Sequence, residues 1–289
     1  MNRLVMVAVA SLLLAATACA QGYEEETVVS SGSRIQAGLR GGLSLSSMSG
    51  GLWGLTEWIG EQLPNEPGFQ VTGGFKDGGV SGFVFCGFVC YRVTESFSFQ
   101  PEVLYVKKGV ESHGTATWTM DQRSVTHEIT EKLDLTYLEI PVLGKFTIPT
   151  RGRIRPSLFA GPAIAIGLSG KDDLSDVVTI VDSSTVDTIC ISGKPEISNM
   201  KSIELGLVTG GDVSISLGPA SLVLDVRYTI GLNRQFGATD LNDVPFWDGP
   251  NAPAEYPVVV LDRIAGHARS VPDMKNRVLS ITAGVTFNL

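Results

Sequence analysis

Charged side chains of both signs recur in this chain at positions that alternate with apolar residues. The clearest example is the segment 222–233, where Asp225 and Arg227 alternate with leucine and valine. Successive strand residues point to opposite faces of a sheet, so the segment predicts a strand with one apolar and one charged face. Acids and bases on that charged face could form a network of salt bridges, or line a narrow polar path for protons, ions or water.

The same parity rule, applied along the chain, extends the charged face to other segments. The residues assigned to it are Arg40, Glu102, Glu139, Lys145, Arg155, Glu204, Asp212, Asp225 and Arg227. If the strands close into a barrel of about eight, the interior is just wide enough for side chains. An unpaired buried charge is strongly destabilising, so these residues are expected to pair. A structural plug of salt bridges is therefore favoured over a polar path.

Residues with catalytic potential also occur, but without the spacing that a reaction requires. They are Ser112, His113, Asp121, His127, Glu128 and His267, all in or beside predicted loops. No nucleophile-elbow or metal-binding motif frames them, and no histidine has zinc-ligand spacing to a cysteine pair. The sequence predicts a protein that is not an enzyme and has no catalytic residues, no cofactor and no bound metal. An enzyme active at the rim of a barrel is a less favoured alternative.

The alternation recurs in about eight segments, which predicts the elements that position the charges. They lie near 34–46, 80–92, 96–108, 134–148, 155–168, 203–215, 222–233 and 277–289. An apolar face of about twelve residues is long enough for a tilted strand to cross a bilayer. The predicted fold class is all-β, a transmembrane antiparallel up-and-down barrel of about eight strands. Pro141 lacks the donor that a central strand needs, and predicts a bulge or local bend.

The connections between these segments alternate strictly between short and long. The short ones carry turn residues such as Gly152 and Gly218. Short periplasmic turns and long external loops are typical of bacterial outer-membrane barrels. Two long connections contain segments that form hairpins above the membrane or add two strands to give ten, namely 115–120 with 124–135 and 177–182 with 185–192. The segment 52–63 has helical spacing and predicts a helix in the interface or over the barrel mouth.

The N-terminus has a basic start, an apolar run and an Ala-x-Ala site, which together predict a cleaved signal peptide. The predicted organisation is a signal peptide at 1–20, a short periplasmic segment at 21–33, and the barrel at 34–289. A retained anchor and acylation of Cys19 are less favoured alternatives. The net charge of −8 argues against nucleic-acid binding.

The other cysteines predict free thiols. Cys86 and Cys90 lie four residues apart on one strand, roughly 13 Å at the rise of a strand, which is too far for a disulfide. Cys190 lies in a predicted loop, and a link from it to either strand cysteine stays open.

One strand carries the most specific resemblance to a known family. Residues 137–146 read YLEIPVLGKF, and after a short turn residues 155–162 read RPSLFAGP. These segments, and the chain from about 34 to 289, resemble the PorT-like porin-family barrels of Bacteroidota. The resemblance implies an outer-membrane barrel and a C-terminal strand that directs barrel assembly. Phe287 would supply the aromatic residue of that signal, although many members end on Phe itself and this chain ends on Leu289.

A structural or surface-interaction role in the cell outer membrane of a Gram-negative bacterium is therefore predicted, with the external loops as the interaction sites. The expected partners are outer-membrane lipids, the barrel-assembly machinery through the C-terminal strand, and an extracellular or cell-envelope partner. A narrow porin or channel is the main alternative, and a secreted lipocalin-like ligand binder is less favoured.

Overall fold

Nine antiparallel strands form one sheet in the part of the chain that the computed structural model describes, which is 34–49, 70–120, 123–182, 185–193, 203–233 and 275–289. The signal peptide, the segment 21–33, Cys19 and the helix predicted at 52–63 lie outside the described residues. The strands are β1 Ile35–Ser49, β2 Gln70–Arg92, β3 Phe97–Met120, β4 Arg123–Thr147, β5 Ile154–Val181, β6 Val186–Gly193, β7 Ile203–Ser216, β8 Ala220–Gly231 and β9 Lys275–Asn288.

Eight of these strands close into a ring in the order β1-β2-β3-β4-β5-β7-β8-β9, and β9 pairs back onto β1. The closing pair runs in continuous register from Gln36 opposite Asn288 to Ser49 opposite Lys275. The amide of Leu289 also donates to the carbonyl of Ile35 at 3.0 Å. The predicted all-β barrel of about eight strands is confirmed, and closure leaves the ring without an unpaired edge. β6 stands outside the ring and pairs only with the distal half of β5 among the described strands.

An apolar belt surrounds the ring. Its exposed side chains include Leu39, Phe85, Val103, Leu222 and Leu224, while the residues between them on each strand point inward. On β3 the belt runs from Phe97 to Tyr105. Nine residues at about 3.4 Å each, tilted by about 40°, give a height of roughly 23 Å, close to the lipid-facing band of outer-membrane barrels.

The two ends of the barrel differ. At the turn end, three short connections join β2 to β3, β4 to β5, and β7 to β8. The start of β1 and the end of β9 also lie at this end and pair with each other. Gly152 and Gly218 lie in two of these turns with φ of 111° and 96°, a conformation that only glycine adopts readily. Exposed aromatic residues surround this end: Tyr91, Phe97, Phe99, Phe146 and Phe287.

At the opposite, extended end, β2, β3, β4 and β5 continue as strands past the apolar belt. The β3–β4 pairing persists without interruption from Val106 opposite Tyr137 to Met120 opposite Arg123. The two long connections that contain the predicted hairpins are therefore mostly strand in their described residues. Parity gave a weaker signal there, because past the belt the outward side chains are polar, although inward residues such as Val110, Leu133 and Leu135 remain buried and apolar. Both predicted hairpins are present, and they add β6 as one strand outside the ring, not two strands within it.

Of the two features predicted at Pro141, the bulge is absent, because Pro141 pairs in register with Ala163, and the local bend stays a prediction. The register of β4 with β5 shifts instead between Thr136 and Tyr137, near the edge of the apolar belt. The structure shows no helix among the described residues that is long and apolar enough to cross a membrane.

Candidate functional site: the charged barrel interior

Two arginines and two carboxylates form a closed ring of ion pairs in the middle of the interior. Arg40 pairs with Glu102, and its Nη1 lies 2.8 Å from Oδ2 of Asp225. Arg227 contacts the same two acids, with Nη1 2.6 Å from Oε2 of Glu102 and Nε 2.9 Å from Oδ1 of Asp225. A second nitrogen, Nη2, reaches each acid as well, so both contacts are bidentate.

The central ring is buried and its acids are further hydrogen-bonded. Asp225 is fully buried, and the other three members are 2–4% exposed. Gln100 donates to Oε1 of Glu102 at 2.6 Å, and Thr282 donates to Oδ1 of Asp225 at 3.3 Å. A buried pair needs such additional bonds to offset its desolvation. The ring is therefore a balanced set of two positive and two negative charges with most of its oxygens occupied.

The central ring also crosses the barrel. Glu102 comes from β3 and Arg227 from β8, and four steps separate these strands in either direction around the ring of eight. The bridge between Glu102 and Arg227 therefore spans a full diameter of the barrel.

Each arginine of the central ring lies over the side chain of a phenylalanine, and that phenylalanine packs directly against a glycine. The guanidinium carbon of Arg40 is 4.5 Å from the ring centre of Phe88, and that of Arg227 is 5.3 Å from Phe159. A Cβ added to Gly38 would lie 2.5 Å from the Phe88 ring, and one added to Gly210 would lie 2.6 Å from the Phe159 ring. The two glycines thus leave the space that the cation–π contacts occupy.

A second ion pair lies toward the turn end. Nζ of Lys145 is 2.7 Å from Oδ2 of Asp212, whose side chain is buried. Asp212 also stands directly opposite Asp225 of the central ring in the pairing of β7 with β8. Carboxylates on directly opposed residues repel each other, and Lys145 supplies the positive charge for Asp212, since the two arginines of the central ring are already balanced by Glu102 and Asp225.

A third cluster, here called the outer cluster, lies toward the extended end and contains Lys108, Glu139, Glu204, Asn276 and Tyr137. Nζ of Lys108 is 2.9 Å from Oε2 of Glu139 and 3.4 Å from Oε2 of Glu204. Asn276 donates to that same Oε2 of Glu204 at 2.9 Å, and the ammonium lies 4.8 Å from the ring centre of Tyr137. All five residues are no more than 2% exposed.

Most residues that parity assigned to the interior lie in these three groups. Arg155 does not: parity placed it inside, but its side chain is exposed. It is the second residue of β5, beside the turn, where no opposite wall covers it. Lys108 is the charged residue that the sequence reasoning missed. It shares the parity of Glu102, six positions earlier, and it is the last residue of the predicted segment 96–108, so the parity rule applied to the whole of that segment would have found it.

Apolar side chains fill the rest of the interior, mainly from β2, β3 and β4. The main cluster contains Met48, Val84, Cys86, Phe88, Leu104, Val106, Val110, Leu133, Leu135, Tyr137 and Ala165. Within this cluster Cys86 is in contact with the central ring, with Sγ 3.5 Å from Nη2 of Arg40. Cys86, Cys90 and Cys190 are all free thiols, so the link left open for Cys190 is not formed.

The residues with catalytic potential do not come together where the structure describes them. His127 contacts Asp176 at 2.7 Å, whereas Ser112 donates to Asp77 at 2.6 Å. Ser112 stands opposite Glu131 on β4, four residues from His127 along that strand. His113 is exposed, near Glu111 and Thr130. Asp121 and His267 lie outside the described residues. The described residues include no group of three or more His, Cys, Asp or Glu placed to hold a metal ion.

A closed antiparallel ring with an apolar exterior and a charged, paired interior defines a membrane β-barrel. A family model described as "Outer membrane protein beta-barrel domain" matches residues 19–237. The chain belongs to the outer membrane protein beta-barrel domain family, and this membership implies a place in the cell outer membrane.

Three solved structures are similar to this chain at low identity. Neisserial surface protein A is 13% identical, with coverage of 90% of this chain and 100% of that one and a TM-score of 0.35. The outer membrane protein OprG from Pseudomonas aeruginosa is 13% identical, with coverage of 89% and 97% and a TM-score of 0.36. Ail, the attachment invasion locus protein of Yersinia pestis, is 11% identical, with coverage of 88% and 99% and a TM-score of 0.32. No curated protein matches the chain.

Proposed function

We propose that this protein is a non-conducting outer-membrane barrel of the PorT-like group that acts through its external surface and not through its interior. The bridge between Glu102 and Arg227 carries this proposal, because it crosses the full barrel diameter with both side chains at 2% exposure. A conducting pore needs a water-filled path, and an eight-stranded ring offers little room for one beside a packed charge network. The proposed role involves no catalysis, cofactor or metal.

The extended end is proposed to face the outside of the cell, and the turn end the periplasm. Short turns on the periplasmic side are usual in bacterial barrels. In this orientation a signal peptide at 1–20 directs export and the segment 21–33 lies in the periplasm before the barrel at 34–289. The outward residues of β3, β4 and β5 beyond the belt include Lys107, Asp134 and Lys171, which suits contact with water.

The external continuation of β2 to β6 is the proposed interaction surface. From Lys107 to Met120, β3 alone supplies roughly 45 Å of extended chain past the belt. β6 is the last strand of this sheet and pairs on one side with β5. Residues 186–190 of β6 are exposed or half-exposed, and β6 contains no lysine and no proline, the residues that usually block an edge. We therefore propose that the side of β6 on which no described strand pairs receives an extended polypeptide segment of a partner protein by strand addition.

The C-terminal strand and the apolar belt define the remaining proposed partners. β9 closes the ring against β1; Phe287 near its end is 51% exposed, and Leu289, which follows β9, is 70% exposed. An exposed terminal strand of this kind suits recognition by the barrel-assembly machinery before closure. The belt suits contact with outer-membrane lipids.

Single-channel recording tests the closed interior. We expect the purified full-length barrel, folded into planar bilayers, to give no stepwise conductance. A variant with both Arg40→Ala and Glu102→Ala serves as the comparison, since it removes two long side chains from the central ring. Reproducible, ion-selective steps in the unaltered protein would establish the channel alternative and refute the proposal.

Cross-linking from β6 tests the external surface. Cys190 is exposed on β6, whereas Cys86 and Cys90 are buried, so a photoreactive maleimide can be attached there on intact cells. We expect cross-links to a defined extended segment of a partner, mapped by mass spectrometry, and their loss when Ile189→Lys is added. The matched control is Lys132→Glu on the outward face of β4, which should keep them. Cross-links that persist unchanged in Ile189→Lys would contradict strand addition at β6.

A further inference from the structure

Four arginines at the turn end of the barrel lie on the interior parity of their strands. They are here called the mouth cluster and are Arg34, Arg92, Arg153 and Arg155. Arg34 has the parity of Arg40 and stands directly opposite Arg92, whose amide donates to the Arg34 carbonyl at 2.8 Å. Arg153 and Arg155 have the parity of Ser157, which is buried inside the barrel. Arg92 is half-buried and the other three are exposed, so the mouth cluster faces the opening and not the surrounding lipid.

The mouth cluster has two arginines on each of two opposing walls. Arg34 and Arg92 belong to the wall of β1 and β2, whereas Arg153 and Arg155 belong to β5 and the turn before it. β1 and β5 are four steps apart in either direction around the ring of eight strands. The opening of an eight-stranded ring is narrow, so a group with several negative charges at its centre lies within reach of both walls.

Positive charge is in excess among the described residues of the turn end. Lys145 is paired with Asp212 at 2.7 Å, whereas none of the four arginines forms an ion pair with a described residue. Outside that pair, the described side chains of this end add one acid, Glu95, in the turn between β2 and β3. Arg34 and Arg92 are like charges on directly opposed residues and repel each other. Carboxylates placed between the walls would relieve this repulsion and match the guanidinium groups.

The chain itself has a run of carboxylates next to the mouth cluster in sequence. Residues 21–33 contain Glu24, Glu25 and Glu26 and no lysine, arginine or histidine. They lead directly into Arg34, so they join the barrel at the turn end. The other ranges outside the described residues, from 50–69 to 234–274, connect strands at the opposite, extended end. The acidic run is therefore the part of the chain outside the described residues that adjoins the mouth cluster.

We propose that the acidic run Glu24–Glu26 binds the mouth cluster of the same chain. Glu26 is eight residues before Arg34. Eight residues span up to about 27 Å, enough to turn back and reach either wall of a narrow ring. Covalent attachment gives the glutamates a high effective concentration at the opening. One exposed ion pair contributes little, so the carboxylates must engage both walls together. This inference does not depend on the orientation of the barrel or on the proposed interaction surface at β6.

A distance measurement between two spin labels on the folded full-length chain tests the proposal. One nitroxide is attached at Thr27→Cys, beside the acidic run, and the other at Leu217→Cys, where the turn between β7 and β8 is exposed. Cys190→Ser removes the exposed native thiol, and Cys86 and Cys90 are buried. In vesicles of phosphatidylcholine we expect one narrow distance distribution. It should broaden at about 1 M salt, which screens exposed charges.

Substitutions that remove charge identify the two partners. The distribution should broaden in the triple variant Glu24→Gln, Glu25→Gln and Glu26→Gln. It should broaden equally when the mouth cluster is neutralised by Arg34→Gln, Arg92→Gln, Arg153→Gln and Arg155→Gln. The matched control removes four lysines of the extended end and should keep the distribution narrow: Lys76→Gln, Lys107→Gln, Lys132→Gln and Lys171→Gln. The shift in gel mobility on heating verifies that each variant folds.

Three results would overturn the proposal. The first is a broad distribution in the unaltered protein, and the second is a narrow one that the four arginine substitutions leave unchanged. The third is a broad distribution together with binding of soluble polyglutamate or of phosphatidylglycerol vesicles that the arginine substitutions abolish. That third result would assign the mouth cluster to a separate acidic polypeptide or to anionic lipid.

Discussion

Arg40 and Arg227 bind the same two carboxylates, although they lie on β1 and β8, on either side of the closing strand β9. Each arginine therefore neutralises both Glu102 and Asp225, and each acid holds both arginines. Removing one member leaves three buried charges that cannot balance. The central ring is consequently expected to respond as a unit, and single substitutions should cost more than an isolated ion pair would.

Arg227→Met tests this response. The methionine keeps much of the volume but leaves Glu102 and Asp225 with one arginine, so we expect a loss of about 3–5 kcal/mol in the free energy of unfolding. Urea titration of the barrel in lipid vesicles, followed by tryptophan fluorescence and heat-modifiable gel mobility, measures it. Arg155→Met is the matched control, because Arg155 is exposed, and should change stability by less than about 0.5 kcal/mol. Equal effects of the two variants would argue against a special role for the central ring.

Gly38→Ala tests the close packing of the Phe88 side chain against Gly38. The added Cβ would lie 2.5 Å both from the ring of Phe88 and from the carbonyl oxygen of Val285, and the backbone atom cannot move aside cheaply. We expect a destabilisation of about 1–3 kcal/mol, typical of overpacking, measured by the same urea titration. Gly87→Ala, on the paired strand, is the control, since its Cβ would meet only Leu39 at an ordinary 3.6 Å. A stable Gly38→Ala together with a destabilised Gly87→Ala would contradict the inward placement of Gly38.

Thiol accessibility tests the placement of β6. A maleimide that cannot cross membranes should label Cys190 on intact cells and leave Cys86 and Cys90 unmodified until the barrel is unfolded. The reason is burial, since Cys86 and Cys90 face the interior at 4% and 6% exposure. Peptide mass spectrometry locates the label, and Cys190→Ser is the control that should remove it. Labelling only after the outer membrane is permeabilised would show that the extended end faces the periplasm.

Phe287→Ser tests the proposed assembly signal. The substitution removes the exposed aromatic residue of the terminal strand, so we expect less heat-modifiable barrel in the outer membrane but normal refolding of the purified chain in detergent. Phe85→Ser removes a similarly exposed aromatic side chain, at 60% against 51%, from the middle of the belt. It should affect assembly far less. Equal losses in cells would show that Phe287 acts only through contact with lipid.

The lipid-crossing part of the fold could be predicted from the sequence because the membrane imposes a period of two on every strand. Asp225 and Arg227 were assigned to the interior by parity alone, and both are buried there. Beyond the belt the outward side chains contact water instead of lipid, so the apolar outer face that marks a membrane strand disappears, although the inner face keeps buried residues such as Val110 and Leu135. The outer halves of β3 and β4, and most of β6, were therefore predicted as hairpins above the membrane or as two added strands, and not as continuations of the barrel strands.

The composition of each interior group could not be read from one strand at a time. Parity states which way a side chain points but not its height in the barrel, which depends on the register of every intervening pair. Lys108 was missed although it has the parity of Glu102 and ends the predicted segment 96–108, and Arg155 was included because nothing in the sequence marks where the opposite wall ends. The cation–π contacts of Phe88 and Phe159 could not be predicted, because the sequence does not show which arginine lies over an inward aromatic residue.

The order of strands in the central ring has a consequence for how the chain acquires its structure. Glu102 lies on β3 and Arg227 on β8, so a curled but still open sheet holds the acid and the base far apart in a low-dielectric environment. Such an intermediate is penalised until β9 closes against β1 and completes the ring. Strand insertion and closure should accordingly be concerted, with a single dominant kinetic phase and no long-lived partly inserted species.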